Sequence, residues 1–258
     1  MSSILFEIKD AVAYITLNRP DKFNSFNREM AFLLQEVLDQ CKTNKAVRAI
    51  YLSGSGKAFC AGQDLAEVVD PNGPGMNRIL YEHYNPIVNR IRDLDKPIVA
   101  AVNGVAAGAG ANIALCCDIV VANENANFIQ AFSKIGLIPD SGGTFMLPRL
   151  IGWQKASALM MLGDKVSATE AERIGMIYKY FSAETFEQES KNIAITLSKM
   201  PTQGLAFTKK ALNWSFSHTF HEQLMNEDKL QRRAADTKDF KEGVQAFLEK
   251  RTPVFKGE

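Results

Sequence analysis

The chain is short of most residue patterns that announce a macromolecular partner or a metal. Lysine plus arginine (30) nearly balance aspartate plus glutamate (29), for a formal net charge of +1, and no run of basic residues occurs. Without such a run there is no electrostatic footprint for nucleic acid or for an anionic membrane surface. Histidine is scarce, at 3 residues, and His218 and His221 stand three apart with no carboxylate pattern beside them. They read as structural or surface side chains rather than ligands. The 4 cysteines, Cys41, Cys60, Cys116 and Cys117, lack paired metal-ligand spacing. Two are adjacent in an apolar stretch, so they read as small core residues and neither a disulfide framework nor a metal site is expected. The opening MSSILFEIKD has no basic n-region and no long apolar h-region, so no secretion signal is expected and the cytoplasm is the default. Neither G-x-x-x-x-G-K-[ST] nor G-x-G-x-x-G occurs in the glycine-rich stretches, which weakens a nucleotide-hydrolysing or dinucleotide-binding reading. Internal repeats and low-complexity tracts are missing too.

What is present is an ordinary globular composition, 46% hydrophobic and 23% charged over 258 residues. That length can bury one large core, or a core with a smaller subdomain. Val12 to Leu17 reads as a strand closed by Asn18-Arg19-Pro20-Asp21. Asn27 is placed to cap a helix whose apolar face is Met30, Leu33, Leu34, Val37, Leu38 and Cys41. Val47 to Leu52 reads as the next strand, followed by KAFCAGQDL, a small-residue turn able to present an N–H near Gln63. Asp70 to Gly75 is the most loop-like segment and reads as a mobile region beside a ligand. Tyr81 to Leu94 reads as helix, Ile119 to Ala122 as a buried strand and Phe128 to Phe132 as a short one. Ser167 with Glu170 makes a capping box for a helix ending near Gly175. From Glu184 onward the pattern is helix after helix, broken near Pro201, Ser217 and Thr237. The chain therefore reads as α/β, with a helical C-terminal appendage.

The stretch Pro97 to Asp118 organises the rest. Ile98 to Val102 is a continuous apolar run, as expected of a strand covered on both faces, and Asn103-Gly104 breaks it. Ala106, Ala107, Gly108, Ala109, Gly110 and Ala111 follow, with almost no side-chain bulk, before Ile113, Ala114 and Leu115 begin a helical pattern. A ligand can approach such a main chain closely. The first N–H groups of the helix lack internal partners and lie at the positive end of its dipole, so they can stabilise an oxyanion. Two plainer readings remain open here, a membrane span, since the run is uncharged over about 20 residues, and a tight strand-to-helix turn whose glycines only permit packing.

Two backbone donors on separate turns would hold a carbonyl oxygen as it gains charge, and an acid/base group must then reach the adjacent carbon. Asp140 is the best candidate, set in a Pro-Asp-Ser-Gly-Gly turn between apolar segments where burial would raise its pKa. It also reads as a cap for a helix beginning near Ser141. The roles are compatible.

The segments LNRPDKFNSF, KAFCAGQDL, KPIVAAVNGVAAGAGANIALCCDI, GLIPDSGGT with LPRLIG, and DFKEGVQAFLEKRTPVFKG together resemble the enoyl-CoA hydratase/isomerase (crotonase) superfamily over essentially the whole chain. The resemblance implies a core of repeated ββα units over 1–195 and a helical trimerisation region over 196–258. It also implies acyl-CoA as substrate and an oxyanion hole from the N–H groups of Gln63 and Ala109. CoA would lie along Ala61, Gly62, Asp64 and Leu65, near Lys22 and Gly108, with help from Phe255 and Lys256. The positions of the hydratase glutamates read Asn112 and Phe132, so simple hydration is not expected. The remaining acid is Asp140, in the setting QAFSKIGLIPDSGG. That setting resembles the phenylacetate-catabolism isomerases, which convert ring-1,2-epoxyphenylacetyl-CoA to oxepin-CoA and shift enoyl-CoA double bonds. In that reading Asp140 relays the proton, Asn112 positions Asp140 or a ring oxygen, and Phe132 stands in the binding pocket. A dehalogenase branch carries tryptophan where this chain has Phe132. A Δ3,Δ2-enoyl-CoA isomerase or an enoyl-CoA hydratase of fatty-acid oxidation is the alternative, and a non-catalytic RNA-binding or scaffold member a remote one. The resemblance implies a cytoplasmic homotrimer or dimer of trimers that needs no metal or redox cofactor.

Overall fold

The computed structural model describes residues 2–258. β1 (Ile4–Lys9) and β2 (Val12–Leu17) form an antiparallel pair and lead into α1 (Arg28–Thr43), where the Asn27 side chain accepts from the Met30 N–H. One plan then recurs, a strand for a large sheet, a short strand for a small sheet, and a helix. β3 (Ala49–Gly54), β4 (Ala58–Cys60) and α2 (Leu65–Val69) are the first such unit. α3 (Gly75–Arg78), a π-helical turn Ile79–Tyr84 and α4 (Asn85–Asp93) extend it. β5 (Ile98–Val102), β6 (Val105–Ala107) and α5 (Ala109–Leu115) are the second unit. β7 (Ile119–Asn123), β8 (Asn127–Ile129), a 3-10 turn Ala131–Ile135 and α6 (Gly143–Ile151) are the third. After α7 (Trp153–Leu162), β9 (Lys165–Ser167), α8 (Ala168–Arg173) and β10 (Lys179–Phe181) the chain is helical. The final elements are α9 (Phe186–Lys199), α10 (Thr202–Ser215), α11 (Phe220–Ala235) and α12 (Lys238–Leu248).

The large sheet runs β1-β2-β3-β5-β7-β10 and the small one β4-β6-β8-β9, so the ββα repeats build both at once. β5 shows why its sequence is apolar throughout. Ile98, Ala100 and Val102 enter the main core, while Val99 and Ala101 enter a second layer with Phe186 and Ala194 of α9. A strand covered on both faces has no solvent side on which to alternate.

Several sequence expectations shift. The strand expected over 47–52 sits at Ala49–Gly54, and the one over 128–132 ends at Ile129, where the chain turns into the 3-10 segment. The helix over 81–94 is in part the π-helical turn. The helix expected from Ile113 begins at Ala109, because β6 takes up the residues before it. α5 has only 7 residues, and no helix among the described residues is long and apolar enough to cross a membrane. Asp140 does not cap α6; that place belongs to Gly142 at φ 77°, with no side-chain bond. Only half of the Ser167–Glu170 box forms, since the Glu170 carboxylate turns to Arg173, whereas Thr219 and Glu222 make the reciprocal pair at α11. The position 195/196 lies within α9, and the break in the helical run comes at Met200-Pro201. His218 precedes α11 and bonds Asn226, apart from His221.

Candidate active site

The two small-residue turns meet. A Cβ built on Gly62 would lie 3.0 Å from the Ala107 carbonyl oxygen and 3.5 Å from the Ala109 nitrogen, so the loop after β4 runs directly against the start of α5. One built on Gly110 would lie 2.4 Å from the Cys60 carbonyl oxygen. Glycine at 110 is therefore a packing requirement, as the plainer sequence reading held. It is also what lets the helix end approach the loop. Gly108 sits at φ 52° and ψ −127°, a conformation open to glycine but costly for any residue with a side chain.

The Gln63 loop is set by the segment before α1. Ala61 N–H donates to the Phe23 carbonyl at 2.9 Å, Phe26 N–H to Gly62 at 2.7 Å and Asp64 N–H to Phe26 at 2.8 Å. The Asp64 N–H after Gln63 is thereby used, and the Gly62 N–H before it turns to the Cys60 sulfur at 3.4 Å. The Gln63 N–H itself has no acceptor among the described residues, and neither does Ala109 N–H at the first turn of α5. Two free donors thus face one space, the geometry required to hold a thioester oxygen that gains charge. Cys60, behind this loop, has its thiol pushed up to about 12 by burial, so it is not the nucleophile of this site.

The space is a cavity of about 220 Å³. Gly62, Gln63, Gly108, Ala109, Phe132 and Asp140 contribute to its wall. Leu65, Val68, Met76, Ile79, Ile135 and Leu137 supply its apolar lining. Asp140 is the one carboxylic acid among these lining residues, and burial raises its pKa. Opposing that, the Ser141 hydroxyl donates to its carboxylate at 2.8 Å. The Asp140 carbonyl is held from behind, by the Gly143 N–H at 2.8 Å and the Asn112 side-chain amide at 2.9 Å. Asn112 is fully buried and its own oxygen accepts from Gln130 at 2.8 Å. A Cβ at Gly143 would come within 2.3 Å of that amide. Ser141 lies in the left-handed region at φ 51°, which is rare for a residue with a side chain and is concentrated at functional turns.

The predicted residues divide accordingly. Gln63, Ala109 and Asp140 converge, with Ala61, Gly62, Leu65, Gly108 and Phe132 around them. Asn112 stands one layer back, holding the Asp140 turn rather than lining the cavity. The Asp64 carboxylate is used by Arg19 at 2.9 Å and by the Ala66 N–H at 3.1 Å. Lys22 ends an exposed 3-10 turn in the segment that braces the loop. Phe255 and Lys256 lie elsewhere, in a tail clamped by Arg48 and Asp239 against the last helices. Sequence reasoning passed over Gln130 and Tyr84. Tyr84, 1% exposed, lines the cavity from the end of the π-helical turn, and no local pattern marks it out within what reads as an ordinary helix.

Residues 7–258 match the family model described as enoyl-CoA hydratase/isomerase. The chain belongs to the enoyl-CoA hydratase/isomerase family. It is 45% identical over 260 residues to the 1,2-epoxyphenylacetyl-CoA isomerase of Escherichia coli (strain K12), an alignment covering 100% of this chain and 99% of that protein. To the trans-2-decenoyl-[acyl-carrier-protein] isomerase of Streptococcus mutans it is 35% identical, covering 98% of each. Its fold matches the crystal structure of an enoyl-CoA hydratase from Bacillus anthracis with a TM-score of 0.93 at 32% identity, covering 99% of this chain and 100% of that one. This enoyl-CoA hydratase/isomerase family member is thus an enzyme of the acyl-CoA isomerase and hydratase type.

Proposed function

We propose that the protein is an acyl-CoA isomerase that converts ring-1,2-epoxyphenylacetyl-CoA to oxepin-CoA in phenylacetate degradation. The observation carrying this reading is that one half-buried carboxyl group, Asp140, faces the cavity of two unoccupied N–H donors, with Phe132 and the engaged amide of Asn112 where a second acid would be needed. Similarity to an epoxyphenylacetyl-CoA isomerase supports the aromatic substrate. The Asp140 carboxylate takes a proton from the α-carbon while the C–H electron pair moves into the thioester, and Gln63 and Ala109 N–H hold the enolate oxygen. The carbon–carbon bond shared by the epoxide and the six-membered ring breaks with its electron pair joining the ring π-system, which gives the seven-membered oxepin, and the carboxyl group returns the proton to the ring carbon γ to the thioester, leaving a double bond at the α-carbon. Atoms and oxidation level are unchanged, so the step calls for no redox cofactor, and the two N–H donors supply the stabilisation of enolate charge that would otherwise fall to a metal.

The same reading takes the protein as a cytoplasmic homotrimer or dimer of trimers. Four free buried cysteines fit a reducing compartment, and Phe220 (80% exposed) and Phe247 (82%) on α11 and α12 leave apolar surface for self-association. The test is parallel turnover on the ring epoxide, on 3-enoyl-CoA, and on 2-enoyl-CoA with water. Fast epoxide conversion with little hydration is expected. A preference for 3-enoyl-CoA would make the enzyme an aliphatic double-bond isomerase, and efficient hydration would overturn the single-acid mechanism.

A further inference from the structure

Tyr84 and Glu67 hold the two ends of the Gln63 side chain. The Gln63 amide nitrogen donates to Glu67 at 2.8 Å, and the Gln63 amide oxygen accepts from the Tyr84 hydroxyl at 2.8 Å. The orientation is forced, because a carboxylate only accepts, so the amide nitrogen must face Glu67 and the oxygen must face Tyr84, which then must donate. Both anchors are themselves fixed. The other Glu67 oxygen accepts from the Arg28 N–H at 2.8 Å at the start of α1, and the Tyr84 ring is buried edge-on against Phe26 with centroids 5.9 Å apart. Phe26 is also the residue whose backbone pairs with the Gln63 strand segment. Two segments distant in sequence, one carrying Phe26 and Arg28 and one carrying Tyr84, therefore join the neighbouring Glu67 around one side chain in a cavity wall that is otherwise mostly apolar.

Glutamine on a glycine-flanked loop has several rotamers to choose from, and a half-buried amide bonded at both ends is held to one. The Gln63 N–H is also the donor whose direction the reaction needs, since an oxyanion donor works only when it is aimed before charge develops. We propose that Tyr84 is a positioning residue of this enzyme, acting with Glu67 through the Gln63 side chain to aim the Gln63 N–H at the thioester oxygen. Tyr84 does not touch the reacting carbon and gives up no proton. This inference rests on the acyl-CoA reading of the site.

The experiment follows exchange of the acyl-CoA α-protons with deuterium oxide by NMR, which reports enolate formation whichever acyl group is preferred. Absence of exchange in the wild-type protein would count against the acyl-CoA enolisation reading itself. Given exchange, Tyr84→Phe is expected to lower the limiting rate about tenfold, a fraction of the ~100-fold or more expected for losing an oxyanion donor outright, with KM within about twofold. Glu67→Gln, at the other end of the amide, is expected to act in the same direction and serves if the tyrosine variant does not fold. Gln63→Met keeps the backbone N–H and the side-chain bulk but bonds neither anchor, so in that background Tyr84→Phe should add nothing. An unchanged rate in both single variants, or a Tyr84→Phe loss that persists undiminished beside Gln63→Met, would overturn the proposal.

Discussion

Two regions of the molecule draw aspartates at least partly out of water and use them in opposite ways. Between the core and the C-terminal helices, Asp118 accepts from the Ile98 N–H at 2.9 Å and the Lys209 ammonium at 2.8 Å, and Asp239 accepts from the Lys256 and Gly257 N–H groups at 2.7 and 2.8 Å. Each joins segments far apart in sequence. In the cavity between the two small-residue turns, Asp140 has one hydroxyl donor and open space in front of it. A carboxylate saturated with donors is a strut. One left short of them, with its charge poorly solvated, has reason to pick up a proton and room to exchange it. The same contrast separates the spaces themselves. A larger cavity of about 540 Å³ has Arg92, Asp118 and Lys209 in its wall, yet those charges are spent on one another and on backbone carbonyls. The smaller cavity holds the unspent donors.

Breaking the strut should give the largest effect. Asp118→Ala leaves the Lys209 ammonium, 7% exposed, without its charge partner, and a loss of about 3–5 kcal/mol of stability is expected by denaturant unfolding. Next, Gly110→Ala drives a methyl group to within 2.4 Å of the Cys60 carbonyl oxygen, which should cost about 1–3 kcal/mol and displace the Ala109 donor, so stability and turnover should fall together. Asn112→Ala leaves Gln130 and one bond to the Asp140 carbonyl unmade. A comparable or smaller loss of stability, about 1–3 kcal/mol, is expected, with a turnover loss well below that of removing the Asp140 carboxylate. Equal damage to turnover would place Asn112 among the reacting groups.

The gentlest probe is the pH profile. Burial raises the Asp140 pKa, and the Ser141 hydroxyl opposes this by favouring the ionised form. Turnover that needs the carboxylate should fall as pH drops through that raised value, so the acid limb of kcat should lie above the ordinary carboxylate range. Ser141→Ala removes the opposing bond and should move the limb to higher pH. Because a buried carboxylate with a raised pKa costs the folded state more as pH rises, Asp140→Asn should leave stability at neutral pH unchanged or higher.

How far the sequence discloses this arrangement follows the length of each signal. β2 and β5, five or six residues long and apolar, and α1, with its cap and long apolar face, are readable because burial leaves a periodic or continuous pattern. β4, β6, β8 and β9 have 3 residues each, too few for a period, so β6 was hidden inside the small-residue run and the start of α5 was misplaced by four residues. Asp140 and the turn at Gln63 stand out locally, as a stranded acid and a small-residue turn, whereas Ala109 as the second donor follows only from the family resemblance, because the local pattern begins the helix at Ile113. Tyr84 and Gln130 act across the fold, through partners 21 and 18 residues away, and carry no such mark.

The most direct test of the account is turnover of Asp140→Asn beside its affinity for acyl-CoA. The expected result is retained binding with turnover down by about 100-fold or more, the scale of a lost general acid–base. Retained turnover would take Asp140 out of the mechanism and contradict the account at its centre.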